Sequence, residues 1–294
     1  MKVLVTGGAG FIGSHVVDAL IKNNYDVAVV DNLSNGKKEN INPKVKFYKA
    51  DILGDLSDIF KEGKFDAVIH NAALIDVIES KSKPELYKRV NVQGTMNVLE
   101  CCRRFNVNKF VYASSGGAIY GNPEYLPCDE EHPKNPVNPY GKTKLEAENR
   151  IVEHSERHGM DYTILRFSNV YGPRQDLIKG GVIAKFIGMI QSDKRPIIFG
   201  DGKQTRDFIF AEDAALANVC ALKAKNMVFN IGFGSPTSIN ELYSKIKELF
   251  NASDAVNSDA VSEVKHTYLD IGLARDKMGW GPKVSLVSGL KKTL

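Results

Sequence analysis

Tyr140 and Lys144 stand four residues apart in Pro139-Tyr140-Gly141-Lys142-Thr143-Lys144, a spacing that can carry acid–base chemistry. On a helix it puts both side chains on one face. A free phenol titrates near ~10, too high for a base at neutral pH. A neighbouring ammonium, or any other positive charge held close by, stabilises the phenolate and brings that value down. Tyr-x-x-x-Lys recurs often by chance, so its weight comes from what precedes it. Ser114 and Ser115 close a strand over 110–113, and strand C-terminal ends are where open α/β sheets hold ligands. One hydroxyl there can hold a substrate oxygen while Tyr140 takes its proton; the other satisfies local backbone.

The segment Thr6-Gly7-Gly8-Ala9-Gly10-Phe11-Ile12-Gly13 follows an apolar strand and opens a helix. Gly7, Gly10 and Gly13 serve a tight turn, close backbone approach to a pyrophosphate, and close helix–strand packing. The helix N-terminus offers N–H groups and partial positive charge to that diphosphate. Asp31 ends the second strand about 20 residues further on, where a carboxylate accepts from adenosine ribose hydroxyls. It also repels a 2′-phosphate, so NAD is expected over NADP. Asp51, followed by Ile52, ends the next strand. It reads either as an acceptor for the adenine amine or as an exposed loop aspartate.

These residues need a scaffold. Short apolar runs at 2–5, 26–30, 45–49, 67–69, 110–113 and 162–166 alternate with helical stretches. That rhythm predicts a parallel sheet covered on both faces. Residues 84–105 read as one long helix and 137–158 as another, with Pro139 near its start, where a missing N–H costs least. Residues 116–139 read as loop because of Pro123, Pro127, Pro133 and Pro136. Beyond Gly172 the rhythm loosens, with helices expected over 182–190, 211–223 and 239–250 and a short strand over 197–199.

The chain has 294 residues, 43% of them hydrophobic, and a net charge of +4. That supports a sizeable core without disulfides or metals. The basic residues are dispersed, so no nucleic-acid partner is expected. Cys101, Cys102, Cys128 and Cys220 form no metal-type spacing and read as reduced thiols. No apolar run approaches ~18 residues, so no membrane partner is expected. A strand from residue 2 leaves no room for a signal peptide, and a cytoplasmic location is expected.

Nearly end to end, the chain resembles the extended short-chain dehydrogenase/reductase family, and within it the UDP-glucose 4-epimerases and close sugar-nucleotide epimerases. The glycine segment continues as Ser14-His15, and Asp31-Asn32-Leu33-Ser34-Asn35-Gly36 and Asp51-Ile52 follow. Then come Asn71-Ala72-Ala73, Asn91-Val92-Gln93-Gly94-Thr95, Ala113-Ser114-Ser115 and the Tyr140/Lys144 pair. The second half adds Arg166-Phe167-Ser168-Asn169-Val170-Tyr171-Gly172-Pro173-Arg174, Gly200-Asp201-Gly202 and Arg206-Asp207-Phe208.

The resemblance implies a Rossmann doubly wound parallel sheet over residues 1–166 and 205–231. A smaller C-terminal α/β substrate domain would take 167–204 and 232–294. Phe11 and Ile12 would lie along the cofactor diphosphate, and Asp31, Asn32, Asn35 and Gly36 around its ribose. Ala72, Ala73, Asn91 and Lys144 would complete the NAD site. Asn169 and Arg206 would hold a UDP-hexose diphosphate, with Val182, Ile197 and Phe199 about its base. An arginine fork suits a diphosphate because it binds two oxygens at once. NAD would act as a resident hydride store while a 4-keto sugar turns in the pocket. A homodimer pairing 84–105 with 137–158 across a two-fold axis is also implied.

Related dehydratases and decarboxylases carry extra carboxylates where this chain has Gly116-Gly117-Ala118, which favours epimerisation. Two departures stand out. The hydroxyl expected four residues before Tyr120 is replaced by Gly116, so Ser115, with Ser114 second, would take its role. A C-terminal diphosphate arginine is missing from Ala260-Val261-Ser262-Glu263, leaving Lys265 or Arg275 as substitutes. By the same resemblance Thr267 would border the sugar 2-substituent, where a small residue would leave room for an N-acetyl group. The alternatives are a net sugar-nucleotide dehydrogenase or reductase, and a non-catalytic NAD-binding module.

Overall fold

The structure, a computed structural model, describes residues 1–259 and 264–293. Buried apolar runs build its frame. β1 (Lys2–Thr6) leads through the glycine turn into α1 (Phe11–Lys22), and β2 (Asp26–Asp31) returns beside β1. β3 (Lys46–Lys49), α2 (Ser57–Gly63) and β4 (Ala67–His70) follow. Then come α3 (Val77–Ser82) and α4 (Pro84–Lys88), which runs into α5 (Thr95–Arg104) through a wider π-helical turn, Arg89–Gly94. β5 (Lys109–Ser115) passes into the one-turn α6 (Gly116–Ile119), and α7 (Pro139–His158) and β6 (Asp161–Phe167) come next.

Shorter elements follow: β7 (Asn169–Tyr171), α8 (Val182–Gln191), β8 (Ile197–Phe199), β9 (Thr205–Arg206) and β10 (Phe208–Phe210). After them stand α9 (Ala211–Ala221), β11 (Met227–Ile231), β12 (Thr237–Ser238) and α10 (Ile239–Phe250). β13 (Val256–Ser258), α11 (Gly272–Met278) and α12 (Leu286–Thr293) end the described chain.

Seven strands form one sheet in the order β11-β6-β5-β4-β1-β2-β3, every neighbouring pair parallel. β1 lies between β2 and β4, so the winding reverses there and opens a crevice beyond the strand ends. Alternation along β1 sends Val3 and Val5 to one face, packed with Val16 and Leu20 of α1 and Ala214 and Ala217 of α9. Leu4 goes to the other face, with Val98 and Leu99 of α5 and Ala147 and Ile151 of α7. Each buried valine, leucine or isoleucine among them contributes roughly 1.5–3 kcal/mol, so both helix layers are held firmly to the sheet. A third core joins α8 (Ile183, Phe186) and α10 (Ile239, Leu242) with β7 and β10.

Three two-stranded ladders sit outside the main sheet: β7 with β10, β9 with β12, and β8 with β13. Their strands are two or three residues long, so non-local partners rather than hydrophobic runs define them.

Three local expectations needed correction. The helix expected over 84–105 contains the π-helical turn, where Gly94 lies so close to Ile52 that a Cβ would sit 2.6 Å from Ile52 Cδ1. The loop expected from 116 begins with the helical turn α6. The helix expected from 137 starts at Pro139, because extended Asn138 caps it by accepting from the Gly141 N–H at 2.8 Å.

Candidate active site

The crevice at the ends of β1 and β4 is built for close approach. Gly7 has φ +70°, and a Cβ there would lie 2.7 Å from the Ala72 nitrogen. A Cβ on Gly13 would press into the Gly7 carbonyl. α1 begins at Gly10 with no side-chain cap and no acidic residue in its first turn, leaving that end to an anion. Asp31, 8% exposed, turns back on the glycine segment and accepts from the N–H groups of Ala9 (3.0 Å) and Leu33 (2.8 Å). Gly36 packs against Ala9 and Asp31. Asn71, next to Ala72 and Ala73 at the end of β4, has both amide atoms buried without a partner. A narrow, side-chain-free turn with an unfilled amide beside it fits a dinucleotide.

The remaining cofactor candidates divide. Asn32 and Asn35 are exposed at the crevice rim, and Asn32 donates to Asp51 at 2.8 Å. Asp51 is exposed and also accepts from the Leu53 N–H, while Ile52 is buried against Gly94. Phe11 and Ile12 are half-buried in the first turn of α1. The Asn91 amide is committed within the protein: it exchanges hydrogen bonds with the Leu74 backbone and donates to Thr143 at 3.1 Å. Its contribution is to hold the loop after β4 onto α7.

The catalytic candidates meet where α7 crosses the end of β5. Tyr140 and Lys144 are 8% and 3% exposed. Burial pushes the Tyr140 phenol up to about 12, and a hydrogen bond with Ser115 pulls the other way. Lys144 Nζ donates to the Ala113 carbonyl at 2.7 Å and lies 4.6 Å from the Tyr112 ring centre. Burial pushes its amine down to about 7, opposed by the Glu148 charge. The two serines separate: Ser115 faces Tyr140, whereas the Ser114 hydroxyl donates to Glu148 at 2.6 Å.

The substrate candidates lie along the C-terminal elements. Asn169 is exposed at the start of β7, two residues past Phe167, the register partner of Ser115. Arg206 in β9 donates to the carbonyls of Thr205 (2.7 Å), Lys265 (3.2 Å) and Val264 (2.9 Å). The same stretch continues through buried Thr267, whose N–H donates to Thr205, to Leu269 beside Gly116. Arg206 and Thr267 are thus tied to the serine end of β5 through one segment. Val182 opens α8, and Ile197 and Phe199 flank inward-facing Ile198 in β8, with Phe199 47% exposed. Of the suggested substitutes for the missing arginine, Lys265 is exposed beside Arg206 and Arg275 is exposed on α11. Ala260, Val261, Ser262 and Glu263 lie outside the described residues.

Several buried polar residues escape a reading by motif. His70 bridges Thr6 (2.6 Å) and Thr95 (3.0 Å) and is held neutral, driven to about 3 by burial and then by the Lys144 charge. Glu148 pairs with Arg166, which also donates to Tyr120 at 3.0 Å. Two signals point to that pair in the sequence: a carboxylate one helical turn after Lys144, and a lone charge inside the apolar run of β6.

A phenol, a hydroxyl and an amine converging at the mouth of a dinucleotide crevice is the arrangement of the extended short-chain dehydrogenases/reductases, and the protein is an NAD-dependent enzyme of that class. More narrowly, the chain belongs to the NAD dependent epimerase/dehydratase family, which matches residues 3–232. It is 49% identical over 297 residues to a putative UDP-glucose 4-epimerase of Methanocaldococcus jannaschii, covering 99% of this chain and 97% of that one. The crystal structure of the Thermotoga maritima UDP-glucose 4-epimerase with UDP-glucose superimposes with a TM-score of 0.97. Identity is 41%, with 100% of this chain and 97% of that chain covered. The Methanobrevibacter ruminantium UDP-N-acetylglucosamine 4-epimerase gives 0.92 at 36% identity, covering 99% and 97%.

Proposed function

We propose that the protein is a UDP-hexose 4-epimerase that interconverts UDP-glucose and UDP-galactose and admits N-acetylated forms. The observation that carries this reading is the Tyr140–Ser115–Lys144 cluster, with Gly116-Gly117-Ala118 directly after it. Removing water from a 4-keto sugar needs an added acid and base beside the hydroxyl residue, and this turn supplies neither. Epimerisation needs only one group that takes and returns a proton.

Ser115 would hold the sugar 4-oxygen, and Tyr140 would remove its proton. The phenol sits high in the free protein because it is buried, so it needs positive charge close by to act as a base. Lys144 supplies that charge and would hold the nicotinamide ribose. Gly7, Gly10, Phe11, Ile12 and Gly13 would hold the NAD diphosphate, with Asp31, Asn32, Asn35 and Gly36 about the ribose. Ala72 and Ala73 would line the channel. Bound NAD supplies a hydride acceptor that gives the hydride back, so the cofactor is not consumed.

On the other side, Asn169 and Arg206 would hold the substrate diphosphate, and Val182, Ile197 and Phe199 its base. Arg206 already donates to backbone carbonyls, so it serves the diphosphate with its fork anchored. Thr267 leaves space beside the sugar 2-substituent. Similarity to both a UDP-glucose and a UDP-N-acetylglucosamine epimerase supports this breadth. A homodimer is part of the proposal. Leu86 on α4 and Leu145 on α7 are half-buried, as are Val90, Met96 and Val152, which pack on the sheet core with part of their surface; what these side chains leave exposed would give the two helices an apolar face to pair.

Purified protein incubated with UDP-galactose tests the reading. Formation of UDP-glucose without net NADH is the expected result. Stoichiometric NADH build-up overturns it in favour of a dehydrogenase, and absence of any conversion, with or without added NAD, overturns the galactose assignment.

A further inference from the structure

Glu148 takes no part in the mechanism above, yet it sits at its back. It stands one turn after Lys144 on the same face of α7 and is 3% exposed. Its carboxylate accepts from Ser114 Oγ at 2.6 Å, from Arg166 Nη2 at 2.7 Å and from Arg166 Nε at 3.1 and 3.2 Å. Arg166 is fixed in turn by Tyr120 and the Glu130 carbonyl, each at 3.0 Å, and Tyr120 donates to Asn230 at 2.7 Å. Stability alone does not call for such a pair, because well-packed apolar side chains often serve a core equally well.

The contacts form a pattern. Three consecutive residues closing β5 meet three successive turns of α7: Ser115 meets Tyr140, the Ala113 carbonyl takes Lys144, and Ser114 donates to Glu148. We propose that Glu148 is a positioning residue of the active site: through Ser114 it fixes the register of α7 on the end of β5, and it supplies the negative charge facing Lys144. Around Lys144, Tyr112 offers only a ring face from β5, neutral His70 approaches from β4, and Tyr140 lies on the same helix. Arg166 of β6 stands behind Glu148 and cancels part of its charge. Burial disfavours the Lys144 ammonium and Glu148 opposes that effect.

The inference rests on the epimerase reading and is tested by the pH profile of kcat for UDP-galactose conversion. The alkaline limb should report loss of the Lys144 charge. Glu148→Gln is expected to move that limb down by about one pH unit or more, with KM little changed. Glu148→Asp keeps the charge but shortens the reach, so kcat should fall with the limb unmoved, and Ser114→Ala should do the same. If Glu148→Gln does not fold, the pair Glu148→Gln with Arg166→Met removes both buried charges, and the limb should still move down but by less, because the Arg166 charge that offset part of Glu148 is gone as well. A folded variant lacking the Glu148 charge whose limb coincides with wild type overturns the inference. A wild type that converts no UDP-sugar overturns the function reading instead.

Discussion

Tyr140 and Lys144 are both displaced from their ordinary protonation ranges by burial, the phenol up to about 12 and the amine down to about 7. Tyr140→Phe removes the proton acceptor without changing shape, and a loss of ~10²–10⁴ in kcat is expected with an unchanged melting temperature. The Lys144 shift also has a stability signature. In the unfolded chain the amine titrates near ~10.4, so between about 7 and that value the unfolded state binds more protons. Stability should therefore rise with pH across that window. Lys109, pushed down to about 8 by burial, adds in the same direction. Thermal melts from pH 7 to 10 should show a shallower rise for Lys144→Met than for wild type; equal slopes would contradict the assignment. The Tyr140/Lys144 pair was legible because helical spacing fixes its face. Ser114 and Ser115 were not separable, because strand alternation puts them on opposite faces, yet the chain leaves β5 at Ser115 and brings both against α7. Asp31 was legible as an acid at a strand end, but its hydrogen bonds to Ala9 and Leu33 depend on the fold of the glycine turn. Asp31→Asn is expected to narrow the preference for NAD over NADP, read as the ratio of the two dissociation constants.

At the scale of elements, the glycine turn tolerates no added Cβ at Gly7 or Gly13 without a shift of backbone. Gly13→Ala drives a Cβ into the Gly7 carbonyl, so α1 must shift off the sheet end. Loss of NAD binding is expected in a titration of the variant, together with a lower melting temperature; retained affinity would show that the turn relaxes freely. The alternating strands and helices of the central sheet were readable because each buries a continuous apolar run. The π-helical turn was not: it lies within one helical pattern, and the close approach of its Gly94 to Ile52, 42 positions earlier in the chain, exists only in the fold. Of the short ladders around the substrate candidates, the strand over 197–199 was readable as an apolar run, whereas its pairing with β13 and the other ladders were not, because two or three residues carry no periodicity. The Glu148–Arg166 pair joins α7 to β6: each charge stands out in its own element, but that the two meet shows only when those elements are brought together.

Across the whole molecule, one core lies on each face of the parallel sheet and a separate core forms around α8 and α10; in the proposed reading the sheet would carry the cofactor and the third core the substrate. The segment from Val264 to Leu269 links Arg206 to the serine end of β5, so in the proposed reading one segment would touch both the substrate diphosphate and the reacting sugar. Among the described residues no helix is long and apolar enough to cross a membrane. The half-buried stripe on α4–α5 and α7 should be covered by a second copy. Light scattering at micromolar concentration is expected to give twice the chain mass, and a monomer mass would contradict the proposed pairing. The central claim is that hydride leaves and returns to the same carbon within one protein. UDP-galactose deuterated at C4 tests it most directly. The label should remain at C4 of the UDP-glucose formed, without exchange into solvent and without free NADH; loss of the label, or reduced cofactor accumulating in step with substrate consumed, would contradict the account.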